Sequence, residues 1–179
     1  VTAQHLRMDV HRIPDTMTTA EAITIEPWSC VMGGLKHCNI QPGDTVAVVG
    51  GGFMGQGFVH MAPLFGAGKV VALDFSDWRL EKAREFGATH TINPKLEDAV
   101  ATMRDLNNGR LADTVIVIAP FASAWAQAEA LVEAGGTLHL GAPLAPGEEW
   151  VRDGNKAYFD EITITSKYSS DHTDTYSYF

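Results

Sequence analysis

Three glycines and one aspartate have the types and the spacing needed to hold a dinucleotide. The apolar run 45–49 stops at Gly50, and Gly52 and Gly55 complete a Gly-x-Gly-x-x-Gly pattern. In such a pattern the first glycine permits a tight turn, the second lets the backbone approach a diphosphate, and the third lets a helix pack closely on the strand. Asp74 ends the next apolar run, 24 residues after Gly50, where its carboxylate can accept hydrogen bonds from ribose hydroxyls.

These residues need a strand before them and a helix after them, and the sequence predicts that order along the whole chain. Alternating strands and helices favour an α/β fold, a doubly wound parallel sheet of the Rossmann type with six strands and helices on both faces. The predicted strands are 45–49, 70–74, 89–92, 114–118, 137–140 and 161–166, and the predicted helices between them are 53–65, 77–86, 95–106 and 122–133.

Two further helices are predicted near the ends of the chain. Thr18-x-x-Glu21 is a capping box that begins a helix reaching about Cys38, which we expect Pro27 to kink. An amphipathic helix begins at Asp171 and is unfinished where the sequence stops. Because the first residue is not methionine, we interpret the sequence as a piece of a longer enzyme.

A ligand of such a sheet binds at the carboxyl ends of its strands. That rule selects the glycine turn, Asp74, Ala119-Pro120, Gly141-Ala142 and the residues after Ser166. Asp74 favours NAD over NADP, because a carboxylate repels a 2′-phosphate at close range. Arg79, five residues later, could stack on adenine or pair with Asp74, or could be a solvated helix charge paired with Glu81 or Asp77.

Composition excludes several classes of function. The net charge of −9 provides no basic stripe for nucleic acid, and no apolar run approaches the length that spans a membrane. Cys30 and Cys38 are the only cysteines, and eight residues of helix separate them too far for a disulfide. The sequence has no Cys-x-x-Cys pair, and we expect no signal peptide and a reduced, cytoplasmic setting.

Several segments in the right order resemble the cofactor-binding domain of the medium-chain, zinc-dependent alcohol and polyol dehydrogenases, nearest to the sorbitol and threonine dehydrogenase branch. The resemblance covers nearly the whole chain. It implies that residues 1–17 are what remains of the linkage to a catalytic domain and that 18–179 form the dinucleotide-binding domain. The segments that carry it are 25–30, 41–46, 49–55, 74–80, 86–88, 135–141 and 161–164.

The resemblance implies individual roles. Met54, Asp74 and Arg79 match residues that hold the adenosine and diphosphate half of the cofactor. Phe53 and Met54 have a plainer interpretation as side chains that pack on the sheet while their N–H groups meet the cofactor. Leu140, Gly141 and Ala142 match residues that border the nicotinamide. Lys167 and Tyr168, after the last strand, match residues that also contact the cofactor.

Glu26 is the one acid that the resemblance associates with the catalytic zinc, directly or through water, once the catalytic domain is present. The alternative is a helix-face glutamate that is solvated or paired with Lys36. The seven histidines are scattered singly, without ligand spacing, and we interpret each as structural or solvated. His139, within a predicted strand, is expected to be partly buried with its polar atoms satisfied.

The sequence therefore predicts an enzyme that moves hydride between a secondary alcohol and NAD, with a small alcohol or polyol as substrate and zinc held by the missing domain. The chain alone is expected to bind cofactor without catalysis. A homo-oligomer is expected through the free edge of the last strand, 161–166. Two alternatives stay open: a zinc-free quinone or enone reductase of the same superfamily, and a non-catalytic nucleotide-sensing module.

Overall fold

The fold is a single parallel sheet covered by helices, seen in a computed structural model that describes residues 10–170. All six strands of this part of the chain pair in parallel, which confirms the predicted doubly wound sheet. The strands are β1 Thr45–Val49, β2 Lys69–Leu73, β3 His90–Ile92, β4 Ala112–Val117, β5 Val132–Leu140 and β6 Thr163–Ser166. The helices are α1 Thr19–Ala22, α2 Ile25–Lys36, α3 Phe53–Met61, α4 Asp77–Glu85, α5 Ala99–Leu106, α6 Ala122–Ala130 and α7 Gly154–Phe159, and a 3₁₀ turn at Ala62–Phe65 follows α3.

The strand order β3-β2-β1-β4-β5-β6 contains one point where the direction of winding reverses, between β1 and β4. The loops that leave the carboxyl ends of these two strands run to opposite faces of the sheet, so a crevice opens between them. The glycine turn leaves β1 at that point.

Both faces of the sheet are buried, and alternate residues of β1 serve the two faces. Ala47 and Val49 pack with α5 and α6 on one side, whereas Val46 and Val48 pack with α2 and α3 on the other. All five residues of β1 are buried, as expected for a central parallel strand. The core therefore holds the start of the glycine turn rigidly.

The N-terminal helix differs from the prediction of one kinked helix over 18–38, which was wrong. Thr18 and Glu21 do form the capping box, but α1 ends at Ala22 and a separate α2 begins at Ile25. Pro27 therefore lies in the first turn of α2, where its missing N–H would have had no partner within the helix. Pro27 therefore removes no hydrogen bond from the interior of α2.

Other boundaries differ from the prediction as well, and three of these differences have local causes. Asp98 accepts hydrogen bonds from the N–H groups of Val100 and Ala101, so α5 begins at Ala99 and not at Lys95. The strand β5 begins at Val132 because it pairs there with Ala112, and it includes the glycines predicted to end a helix. Pro63 turns the end of the predicted helix 53–65 into the 3₁₀ turn.

The helix predicted from Asp171 lies outside the described residues. Within residues 10–170, no helix combines the length and the apolar character needed to cross a bilayer.

Candidate cofactor site

A crevice of about 700 Å³ opens at the carboxyl ends of β1, β2 and β4, where the topology places a ligand. The structure brings together in its wall six residues that the sequence singled out from three separate segments. They are Gly50, Gly52, Asp74, Arg79, Ala119 and Pro120.

The turn out of β1 needs glycine at two positions for different reasons. Gly50 has φ +108°, and a side chain there would also approach the Ala119 nitrogen at 3.2 Å. A Cβ on Gly55 would overlap the carbonyl oxygen of Gly50, so this helix can approach the strand only with glycine at that position. Both predicted roles are confirmed by the backbone.

The amino end of α3 is open toward the crevice. Gly52 is the N-cap residue of α3, and no side chain caps the helix there. Apart from Gly52 itself and its two neighbours in the chain, no atom of residues 10–170 lies within 4 Å of the place where a Cβ of Gly52 would be. The first N–H groups of a helix lack partners within it, and its dipole is positive at this end, so an anion is the ligand that this site favours.

Asp74 follows β2 directly, and hydrogen bonds fix its carboxylate at the mouth of the turn. Its Oδ2 accepts from the Gly51 N–H at 2.7 Å, and its Oδ1 accepts from the Ser76 N–H at 2.8 Å. Only 9% of its side chain is exposed. The carboxylate is therefore preoriented, and Oδ1 keeps lone-pair capacity for a further donor such as a ribose hydroxyl.

Arg79 lies on α4 and forms an ion pair with Asp74, with Nη1 3.4 Å from Oδ2. Of the interpretations offered by the sequence, pairing with Asp74 is therefore confirmed. Half of the Arg79 side chain stays exposed along the crevice, so the guanidinium also remains accessible to a ligand.

Sequence reasoning missed the part of the wall that comes from the loop after β3. Pro94 and Lys95, from the loop after β3, line the crevice, and the Lys95 Nζ lies 5.0 Å above the centre of the Phe75 ring. Asn93 holds this loop through a 2.7 Å hydrogen bond from its Nδ2 to Asp77. The strand-end rule could have found Lys95, but a helix predicted to begin there hid the loop.

Residues predicted to border the nicotinamide lie further along the same edge of the sheet, outside the walls of this crevice. The Gly141 N–H donates to Val117 O at 2.9 Å, and a side chain at Gly141 would clash with Ile118. Leu140 and Ala142 flank it at the end of β5. Beyond β6, Lys167 is partly buried and Tyr168 fully exposed.

Phe53 and Met54 occupy the first turn of α3 and differ in environment. Met54 is partly buried and packs on the core, in agreement with its plainer interpretation. Phe53 is 55% exposed, so it is not a core side chain. It lines a second, apolar groove of about 400 Å³ on the other side of Arg79.

Glu26 lies exposed in the first turn of α2. Its Oε1 accepts a hydrogen bond from the Cys30 thiol at 3.3 Å, and burial together with this bond raises the pKa of Cys30. Residues 10–170 contain no cluster of three or more His, Cys, Asp or Glu side chains that could hold a metal ion.

A parallel sheet in this strand order, with a glycine turn, an uncapped helix and a fixed aspartate at its switch point, defines an α/β domain of the nucleotide-binding class. The family model for zinc-binding dehydrogenases matches residues 54–178. The chain belongs to this zinc-binding dehydrogenase family and corresponds to the NAD(P)-binding domain of alcohol and polyol dehydrogenases.

Individual relatives agree. The chain is 37% identical to the sorbitol dehydrogenase of Bacillus subtilis over 136 residues, which are 75% of this chain and 38% of that protein. It is 34% identical to the L-threonine 3-dehydrogenase of the same organism over 159 residues, 87% of this chain and 44% of that protein. The chain thus spans less than half the length of these relatives.

Solved structures give the same result. An alcohol dehydrogenase from Thermus sp. ATN1 superposes with a TM-score of 0.85 at 27% identity, covering 94% of this chain and 48% of that one. A protein of Sinorhizobium meliloti 1021 assigned as a zinc-binding dehydrogenase, with NADP bound, superposes with a TM-score of 0.87 at 28% identity. It covers 93% of this chain and 49% of that one.

Proposed function

We propose that this chain is the cofactor-binding part of an NAD-dependent dehydrogenase that transfers hydride between a secondary alcohol or polyol and NAD. The observation that carries the proposal is the Asp74 carboxylate, fixed by two backbone N–H groups beside the uncapped end of α3. Nicotinamide supplies the hydride chemistry when the dinucleotide is bound, and the domain supplies binding and orientation.

The adenosine half would lie in the 700 Å³ crevice, with its diphosphate against the N–H groups at the start of α3. Asp74 would accept hydrogen bonds from the adenosine ribose, and Arg79 would lie along the adenosine or the diphosphate. The nicotinamide half would extend along the ends of β4 and β5, past Ala119 and Leu140-Gly141-Ala142, toward Lys167 and Tyr168.

Choice of cofactor follows from charge. NADP carries a 2′-phosphate on the ribose that Asp74 would bind, and two anions at hydrogen-bond distance repel strongly in a partly buried site. Arg79 reduces this repulsion but is already paired with Asp74. We therefore propose NAD as the preferred cofactor, although the Sinorhizobium meliloti relative binds NADP.

Substrate activation would depend on residues beyond this chain. Zinc in the longer enzyme would polarise the alcohol oxygen, and Glu26 is the residue of this domain that would approach the metal. Sorbitol and threonine dehydrogenases among the relatives favour a polyol or secondary alcohol as substrate. The chain by itself would bind NAD and leave alcohols unoxidised.

Calorimetric titration with NADH and NADPH tests the proposal. We expect NADH to bind more tightly, and Asp74→Ala to lower NADH affinity about tenfold or more, since hydrogen bonds to a charged group contribute about 1.5–3 kcal/mol. The affinity for NADPH should fall less, because the same change removes the repulsion between the Asp74 carboxylate and the 2′-phosphate. Asp105→Ala, an exposed change on α5, is the matched control. Equal affinity of the unaltered chain for both cofactors would refute the NAD assignment.

A further inference from the structure

The side chain of Gln56, in α3, connects the glycine turn to the helix that carries Arg79. Its Nε2 donates to the Gly51 carbonyl at 2.9 Å and to the Arg79 carbonyl at 3.0 Å. Its backbone N–H donates to the Gly52 carbonyl at 2.9 Å. One residue therefore binds both carbonyl groups that precede α3.

Chemistry fixes which way this amide points. Two carbonyl oxygens face Nε2, which has two N–H groups to donate, and the opposite orientation would set Oε1 against both oxygens. In the observed orientation, Oε1 is buried and has no hydrogen-bond partner among the described residues. Gln56 itself is only 9% exposed. The Gln56 amide therefore makes both hydrogen bonds through its nitrogen, while its unpaired buried oxygen lowers the stability of the fold.

The bridge determines the direction of a backbone donor. The Gly51 carbonyl and the Gly52 N–H belong to one peptide group, which is planar and trans, since residues 10–170 contain no cis peptide bond. Because the carbonyl points toward Gln56, the Gly52 N–H points the opposite way. Gly52 lines the crevice, and the space where its side chain would be is open.

The same bridge aligns the two halves of the site. Gly51 donates to the Asp74 carboxylate, and a Cβ on Gly51 would lie 3.2 Å from Asp74 Cβ and 3.3 Å from Arg79 Cβ. The turn and the start of α4 are thus in close contact, and Gln56 connects them through its hydrogen bonds to Gly51 and Arg79. We infer that Gln56 is a positioning residue that orients the Gly52 N–H toward a bound diphosphate and keeps it in register with Asp74.

This inference rests on the proposed function, and ligands of different composition test it. Gln56→Leu removes both donors at similar volume. We expect this variant to bind NADH and ADP about tenfold more weakly, which is the loss expected for one misdirected hydrogen bond to an anion. Its affinity for adenosine should fall by less than about twofold. Gln41→Leu is the matched control, because exposed Gln41 also donates to a carbonyl, that of Asn39, outside the crevice walls.

Titrations are made well below the unfolding temperature of each variant. A loss of stability alone then leaves the ratio of the affinities for ADP and adenosine unchanged. Equal weakening of ADP and adenosine, or no weakening of either, would overturn the inference. A ligand-free measurement separates it from the cofactor assignment. Residual dipolar couplings should show the Gly52 N–H vector reoriented in Gln56→Leu and unchanged in Gln41→Leu. An unmoved vector would overturn the role of Gln56 even if NADH binds, and failure of the unaltered chain to bind NADH would refute the proposed function alone.

Discussion

At the scale of single residues, the candidate site works by holding polar groups in place before a ligand arrives. Asp74 is fixed by Gly51 and Ser76, and Arg79 offsets its charge. A preoriented carboxylate loses little conformational entropy when it binds a hydroxyl. The same arrangement makes the site sensitive to small changes in the turn.

His139 gives a residue-scale prediction on pH. Its ring is 1% exposed in β5, and burial, helped by the charge of nearby His37, lowers its pKa to about 4. In the unfolded chain a histidine titrates at about pH 6.5. Between these two values the unfolded chain binds more protons than the folded chain, so the free energy of unfolding should decrease as the pH falls from about 6.5 to about 4. The full effect is about 3 kcal/mol.

Urea denaturation at pH 7 and pH 5 measures this dependence. His139→Gln keeps a group able to bond Thr165, which lies 2.9 Å from the His139 Nδ1, and should lose less stability between the two pH values than the unaltered chain. An identical pH dependence in both proteins would contradict a buried, neutral His139.

At the scale of elements, the segment between β5 and α7 is fastened to α6 by a partly buried ion pair. Arg152 donates from Nε to Glu129 at 2.8 Å and lies 4.8 Å above the centre of the Trp150 ring. Trp150 in turn packs edge-on against Trp125 of α6. This contact constrains the segment that begins at Gly141, where the nicotinamide is proposed to lie.

Arg152→Met should destabilise the fold by about 3 kcal/mol, because it leaves the buried Glu129 carboxylate without its partner. Adding Glu129→Gln should restore part of that loss. Arg12→Met is the control, since its pair with Asp15 has side chains 89% and 91% exposed and should contribute less than about 0.5 kcal/mol. Chemical denaturation of the unaltered chain, Arg152→Met, Glu129→Gln and the double variant measures the coupling, and purely additive losses at 129 and 152 would contradict it.

The difference between what the sequence predicted and what it missed also lies at the scale of elements. The glycine turn, Asp74 and the alternation of strands and helices follow from local patterns, since a β-branched run ending in spaced glycines restricts the backbone strongly. Lys95 and Gln56 depend on contacts between residues 20 or more positions apart, which periodicity does not encode. Pro27 was misjudged because its effect depends on where the helix begins.

At the scale of the whole molecule, β6 is an edge strand with one side unpaired among the described strands. Ile164 is 37% exposed there. We propose that two copies continue the sheet through this edge. Ile164→Lys should convert a dimer to a monomer, because edge lysines oppose strand pairing. Leu64→Lys, exposed on the 3₁₀ turn, is the control. Light scattering after gel filtration gives the masses, and an unchanged mass for Ile164→Lys would contradict this interface.

The crystal structure of the chain soaked with NAD is the most direct test of the central claim. We predict density for the diphosphate within hydrogen-bond distance of the N–H groups of Gly52 and Phe53, and ribose hydroxyls on the Asp74 carboxylate. A dinucleotide bound elsewhere, or a crevice that stays empty at saturating NAD, would contradict the account.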